Sequence, residues 1–417
     1  MSDTVQGRTS RFLEIRRGWP ALLAAAFGSG VGVNGLMAYN LGLFVQPLSR
    51  EIGLTRGQFG SAVSGSMMAM ALALLFVGPL VDRLGGRRVA IIGSAGFSLI
   101  FVAMSMMVQS TAAFFALVVA MGAIGSATTA ISYSRVVVTW FDRAQGLALA
   151  LVMTGIGLAS MIVPPLVALV IEGAGWQAGF RLLALLAASS IPVSLLLLRP
   201  APAAPAPSTA APVAAPIAAS ASSAVRAALR SRIFWLQGGA FFLMSLAVTG
   251  VMIHFVPLFT DLRLSATAAA GLMSLFGATL VCSRLLVGWL ADRVHAPWIA
   301  VVTCGAAGGA CLLLATGSTA FLPIAVILIG TAIGAETDLL AYLTARYFGL
   351  AVYGRCFAWQ YGLFVVAAGL SPAWIGILRD QSGSYAQPLL LASVLSLAAA
   401  VAFACLPRYA RPGDCLA

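Results

Sequence analysis

The chain has 417 residues, 61% of them hydrophobic and only 9% charged, with a mean hydropathy of +1.00. Soluble domains carry about 25% charged residues, so this composition excludes a water-facing exterior and assigns most of the surface to lipid. The net charge of +12 comes from 24 basic residues, all arginine, set singly or in small groups between apolar blocks, a distribution that excludes a nucleic-acid-binding face.

In chain order, residues 1–18 form a polar head carrying Arg8, Arg11, Arg16 and Arg17. The apolar run that follows from Trp19 is too long for a secretory leader and predicts a retained first span. Apolar blocks bounded by Gly, Pro or charge predict spans at 19–46, 58–80, 89–108, 112–138, 144–170 and 177–198. Six more are predicted at 233–258, 266–290, 297–316, 320–345, 355–378 and 386–406. Each has about the 20 residues that a helix needs to cross a bilayer. Between the two sets, Pro200 to Ser223 is rich in Ala and Pro and has no charge, which predicts a semi-extended tether. The expected organisation is a tail (1–18), a six-helix bundle (19–198), a linker (199–231), a second six-helix bundle (232–407) and a tail (408–417). With both termini in the cytoplasm, 17 arginines fall inside and 5 outside, leaving Arg135 and Arg284 within spans. That bias predicts a multi-pass inner-membrane protein with this orientation.

The two halves echo each other. Gly78-Pro-Leu-Val-Asp82-Arg83-Leu-Gly-Gly-Arg87-Arg88 follows the second span, and Gly288-Trp-Leu-Ala-Asp292-Arg293 follows the eighth, offset by 210 residues. Trp140-Phe141 and Tyr347-Phe348 form a second pair, offset by 207. Such a repeat suits a carrier whose halves rock about a central site. The Gly78–Arg88 segment resembles the loop 2–3 signature of the major facilitator superfamily, departing from it at Gly86, where a basic residue is usual. The resemblance implies an all-α integral membrane fold of twelve transmembrane helices in two pseudo-symmetric six-helix bundles. It also implies a cytoplasmic charge latch of Asp82, Arg83, Arg87, Arg143, Asp292 and Arg293. Tyr39 to Pro47, Trp140 to Ala148, Trp176 to Arg181, and Arg284 followed by Asp292 are similar to the monocarboxylate and oxalate–formate branch.

Arg284 lies eight residues before Asp292, about 12 Å above the cytoplasmic loop. An intramembrane arginine costs at least about 2.5–3.5 kcal/mol, so it needs a wet cavity or a partner. The resemblance implies that it binds a substrate carboxylate, for which a planar guanidinium is well shaped. A permanent ion pair with Glu336 or Asp338 is the structural alternative. Arg135 is either a second anion contact or a snorkelling arginine near the surface. Glu336, Asp338 and His254 are the candidates for carrying a proton, the first two lying about 200° apart on one helix. Asn34, Tyr39, Asn40, Tyr133, Gln360 and Tyr361 are the polar and aromatic residues available to line a cavity; each also reads as packing between helices.

Three positions depart from the branch. Leu43 stands where many animal monocarboxylate carriers have a lysine, Leu280 where they have an aspartate, and Gln360 where oxalate–formate carriers have a second cation. A lone cation favours a single-carboxylate cargo. The six cysteines have no metal-ligand spacing, and no nucleotide-hydrolysing motif is present, so neither metal nor cofactor is expected and transport must run on gradients. The expectation is a non-enzymatic, monomeric secondary transporter of small organic anions, chiefly monocarboxylates, working by alternating access with proton-coupled uptake. A proton-coupled exporter of drugs or metabolites with the same fold is the alternative.

Overall fold

The computed structural model describes residues 2–129, 132–133, 136–137, 140–141, 145–199, 226, 228–291, 293–349 and 353–408. Arg135, Arg143, Asp292, nearly all of the linker and the last nine residues lie outside the described residues, as does the side chain of Asp82. The described structure is almost entirely helical: α1 (Ser2–Gly30), α2 (Val33–Ile52), α3 (Arg56–Leu84), α4 (Gly86–Met107), α5 (Thr111–Gly125), α6 (Gln145–Leu197) and α7 (Arg232–Ile253). There follow α8 (Phe255–Asp261), α9 (Ala266–Ala291), α10 (Ala296–Ala315), α11 (Leu322–Phe348), α12 (Tyr353–Ser382) and α13 (Ala386–Ala404). Among the described residues, eleven segments are long and apolar enough to cross a membrane. One of them, Leu151–Leu197, is 47 residues long and holds two crossings, which gives twelve. Leu75, Phe76, Leu99, Leu185, Val302 and Val401 each keep more than 60% of their surface exposed, as lipid-facing residues do.

Backbone chemistry explains where the helices break. Within α6, Gly175 adopts φ 84°, ψ 168°, a conformation open to glycine, and separates the fifth and sixth crossings where the sequence predicts a boundary. The seventh crossing, expected as one helix over 233–258, is two: α7 stops at Ile253 and α8 starts at Phe255. Pro257 has no N–H to give to the Ile253 carbonyl, and His254 sits at the break with φ −90°, ψ 4°. The first span, expected unbroken over 19–46, divides at Val31–Gly32. There Val33 N–H donates to Thr128 Oγ1 at 2.9 Å instead of to its own helix. The fourth span, expected as helix to 138, leaves α-helix after Gly125 for one 3₁₀ turn. Ser126, Thr128 and Thr129 hydroxyls donate to carbonyls three residues back, at 2.6, 2.7 and 2.8 Å, which tightens that turn.

Two compact units emerge. The first comprises residues 1–203 with 253–278, and the second 204–252 with 279–417. The division therefore does not follow the linker alone: α8 and the start of α9 group with the first half, where the sequence places them in the second bundle. In the first unit α6 packs along α1 and α4, and α3 along α5. Gly155 makes the α1–α6 crossing possible, because a Cβ there would stand 1.8 Å from the Ala26 carbonyl oxygen. Gly86 is needed for a similar reason: a Cβ would stand 2.2 Å from the Ser132 carbonyl oxygen, which accounts for the missing basic residue in the Gly78–Arg88 segment. In the second unit α10 packs against α13 and α11, and α11 against α12.

Candidate functional site

The second unit brings several of the candidate residues together. Gly334 on α11 lets α9 approach closely; a Cβ there would meet Leu280 O and Ser283 Cβ at 2.9 Å. Ser283 Oγ completes the contact by donating to Thr331 O at 2.7 Å. The next residue, Arg284, is thereby directed at α11, where its Nη1 lies 3.4 Å from Asp338 Oδ1. The pair is only partly shielded, with side chains 29% and 40% exposed. Arg284 lies seven residues from the end of α9 at Ala291, so about 10 Å along the helix from that end.

Glu336, one half-turn away, takes the opposite environment. It is 4% exposed, and its Oε2 has no hydrogen-bond partner among the described residues. It lies within electrostatic reach of Arg284, Tyr361 and Cys304. The two carboxylates thus divide as their helix phase requires: one faces the guanidinium and solvent, the other the interior. Tyr361 on α12 is 41% exposed and stacks between Phe357 and Phe364, with ring centroids 5.6 and 5.7 Å away. Gln360, its neighbour, is fully buried and donates through Nε2 to Phe234 O at 2.8 Å, so one of its two amide donors serves packing of α7 on α12.

The remaining cavity candidates belong to the first unit. Tyr133 has no exposed surface and lies in an apolar cluster with Leu22, Val137, Phe141 and Val152, over Gly28. Asn40 is also fully buried, and its Nδ2 donates to Leu36 O at 2.9 Å within its own helix. Tyr39 is 8% exposed and packs against the Phe276 ring at 5.9 Å, while Asn34 is half-buried. His254 is buried edge-on to the Phe59 ring at 5.6 Å.

Of the expected cytoplasmic latch, Arg83, Arg87 and Arg293 are described. Arg87 donates from Nε to Ser194 O at 3.3 Å and from Nη2 to Leu195 O, so it caps the last carbonyls of α6. A cation at a helix C-terminus satisfies orphan acceptors and complements the dipole. Arg293 lies 4.1 Å over the Trp289 ring and donates to Trp289 O, and Arg83 is exposed. The sequence reading did not single out the pair at the other end of α3, Arg56 Nη2 to Asp261 Oδ1 at 2.7 Å, with side chains 10% and 24% exposed. Nearby in the fold, the Glu172 carboxylate accepts from Thr267 N–H and Oγ1. Charged residues flanking spans in both halves were the available signal, but sequence alone does not tell which of them meet.

A twelve-crossing helical fold with an internal repeat and a partly wet arginine–carboxylate pair defines a membrane carrier. The Major Facilitator Superfamily model matches residues 27–372, and the chain belongs to that superfamily of transporters. Among curated relatives, an uncharacterised transporter of this superfamily from Bacillus subtilis, YcxA, is 24% identical over 279 residues, 66% of each chain. Monocarboxylate transporter 11 of Homo sapiens is 24% identical over 417 aligned positions, covering 94% of this chain and 83% of that one. The tetracenomycin C resistance and export protein of Streptomyces glaucescens is 24% identical over 193 residues, 46% of this chain and 35% of that one. The solved inward-facing, occupied structure of a bacterial homologue of the human lysosomal transporter Spinster matches with a TM-score of 0.70 at 14% identity. It covers 92% of this chain and 95% of that chain.

Proposed function

We propose that this transporter carries small organic anions, chiefly monocarboxylates, across the inner membrane by alternating access, coupled to proton uptake. The observation that carries the reading is the Arg284–Asp338 contact. A partly exposed guanidinium held at 3.4 Å by a single carboxylate oxygen is available to a second carboxylate. Cargo carrying one carboxylate replaces Asp338 on Arg284. A proton taken up by Asp338 removes the competing charge and keeps the loaded site neutral. Glu336 and His254 are the alternative proton carriers. The likeness to a monocarboxylate transporter over 94% of the chain supports the same cargo class.

The exporter reading draws on a different observation. Arg284 already has a partner in Asp338, and a carrier whose interior charge is internally satisfied suits a neutral or cationic cargo; one relative is named as an export protein. Proteoliposomes separate the two. On the anion reading, an inward proton gradient drives accumulation of single-carboxylate acids, and lipophilic cations are not moved. Proton-driven extrusion of lipophilic cations without carboxylate movement refutes it.

A further inference from the structure

The ring stack beside Arg284 carries information about the non-carboxylate end of the cargo. Phe357, Tyr361 and Phe364 recur at i, i+4 and i+7, so they share one face of α12. Their rings are nearly parallel, at 16° and 21° between planes. Exposure differs along the stack: Phe364 is 7% exposed, while Tyr361, in the middle, is 41% exposed. It lies eight residues into α12 from Tyr353, about 12 Å from that end, and within electrostatic reach of both Arg284 on α9 and Glu336 on α11. Tyr361 thus combines a partly exposed ring face with electrostatic reach to the candidate anion-binding arginine.

We infer that the cargo is an aromatic carboxylate whose ring lies against Tyr361 while its carboxylate is held by Arg284. The inference rests on Arg284 being the anion site, and adds the chemistry of the cargo's other end. A planar π-system extends the existing parallel stack by one member. A saturated ring of equal size fills the same space without matching the quadrupole of the tyrosine face. An aromatic contact of this kind corresponds to a roughly two- to tenfold preference.

The test uses the full-length protein in lipid nanodiscs and compares binding of benzoate, cyclohexanecarboxylate and acetate by calorimetry, in wild type, Tyr361→Leu, Tyr361→Phe and Arg284→Ala. The expected result is a roughly two- to tenfold preference for benzoate over cyclohexanecarboxylate. Tyr361→Phe retains it and Tyr361→Leu abolishes it. Since cyclohexanecarboxylate is the more lipophilic acid, general hydrophobicity predicts the opposite order. Equal affinities in wild type, or a preference that survives Tyr361→Leu, overturns the inference. Carboxylates that bind through Arg284 without aromatic preference overturn it while leaving the anion site standing. Failure of every carboxylate to bind overturns both.

Discussion

Replacing Asp338 by asparagine keeps the shape of the side chain and removes the charge that competes with cargo for Arg284. At a separation near 4 Å and an effective dielectric of about 20, the gross attraction is about 4 kcal/mol. The contact is long, 3.4 Å, and its side chains are 29% and 40% exposed, so solvent screening leaves a net value of about 1 kcal/mol. Asp338→Asn is therefore expected to tighten carboxylate binding about fivefold at neutral pH. The pH dependence follows with a definite sign. On the proposal that Asp338 carries the proton, acidification neutralises it and frees Arg284, so affinity for an acid that stays ionised rises as pH falls. In Asp338→Asn that dependence on pH is lost, and affinity stays near the acidic wild-type value. Calorimetry in nanodiscs from neutral to mildly acidic pH measures both effects. Weaker binding in Asp338→Asn, or an unchanged pH slope, refutes Asp338 as the competing and proton-carrying group.

Three further outcomes follow from the packing. Removing either partner of the largely buried Arg56–Asp261 pair strands a charge; Arg56→Gln or Asp261→Asn alone is expected to cost about 2–3 kcal/mol, with the double variant less than additive, as thermal unfolding in detergent will show. Gly155→Val forces α1 from α6, since even a Cβ stands 1.8 Å from Ala26 O, so the variant should be recovered from membranes in much lower yield than wild type. Arg87→Ala removes two donors from the end of α6 and should cost about 1–2 kcal/mol, part of which Arg87→Lys restores in the same unfolding assay.

Crossings were legible because lipid demands long apolar runs, and the Gly175 turn fell between the two blocks that sequence separates. The breaks at Val31–Gly32 and at His254 were not, since hydropathy continues across them. Their causes are a tertiary bond to Thr128 Oγ1 in one case and the missing N–H of Pro257 in the other. The clustering of α8 with the first unit was equally hidden, because it depends on long-range contacts such as Arg56–Asp261.

At the site, Arg284 stood out by its cost in a membrane, and Asp338 was already one of two named partners. Helix phase separated it from Glu336, but only the Ser283–Thr331 contact and Gly334 fix which carboxylate meets α9. Tyr133 and Asn40 illustrate the limit. A polar side chain in a span reads as either cavity lining or helix packing until its surroundings are known. Tyr133 fills the space that Gly28 leaves, and Asn40 bonds to its own helix.

The central claim, that Arg284 is where the anion binds, is tested most directly by Arg284→Ala in proteoliposomes, with wild-type-like elution and thermal unfolding as evidence of folding. Loss of one or two charge-assisted bonds predicts a fall of at least about tenfold in monocarboxylate affinity and uptake. Uptake at the wild-type rate by the folded variant contradicts the account.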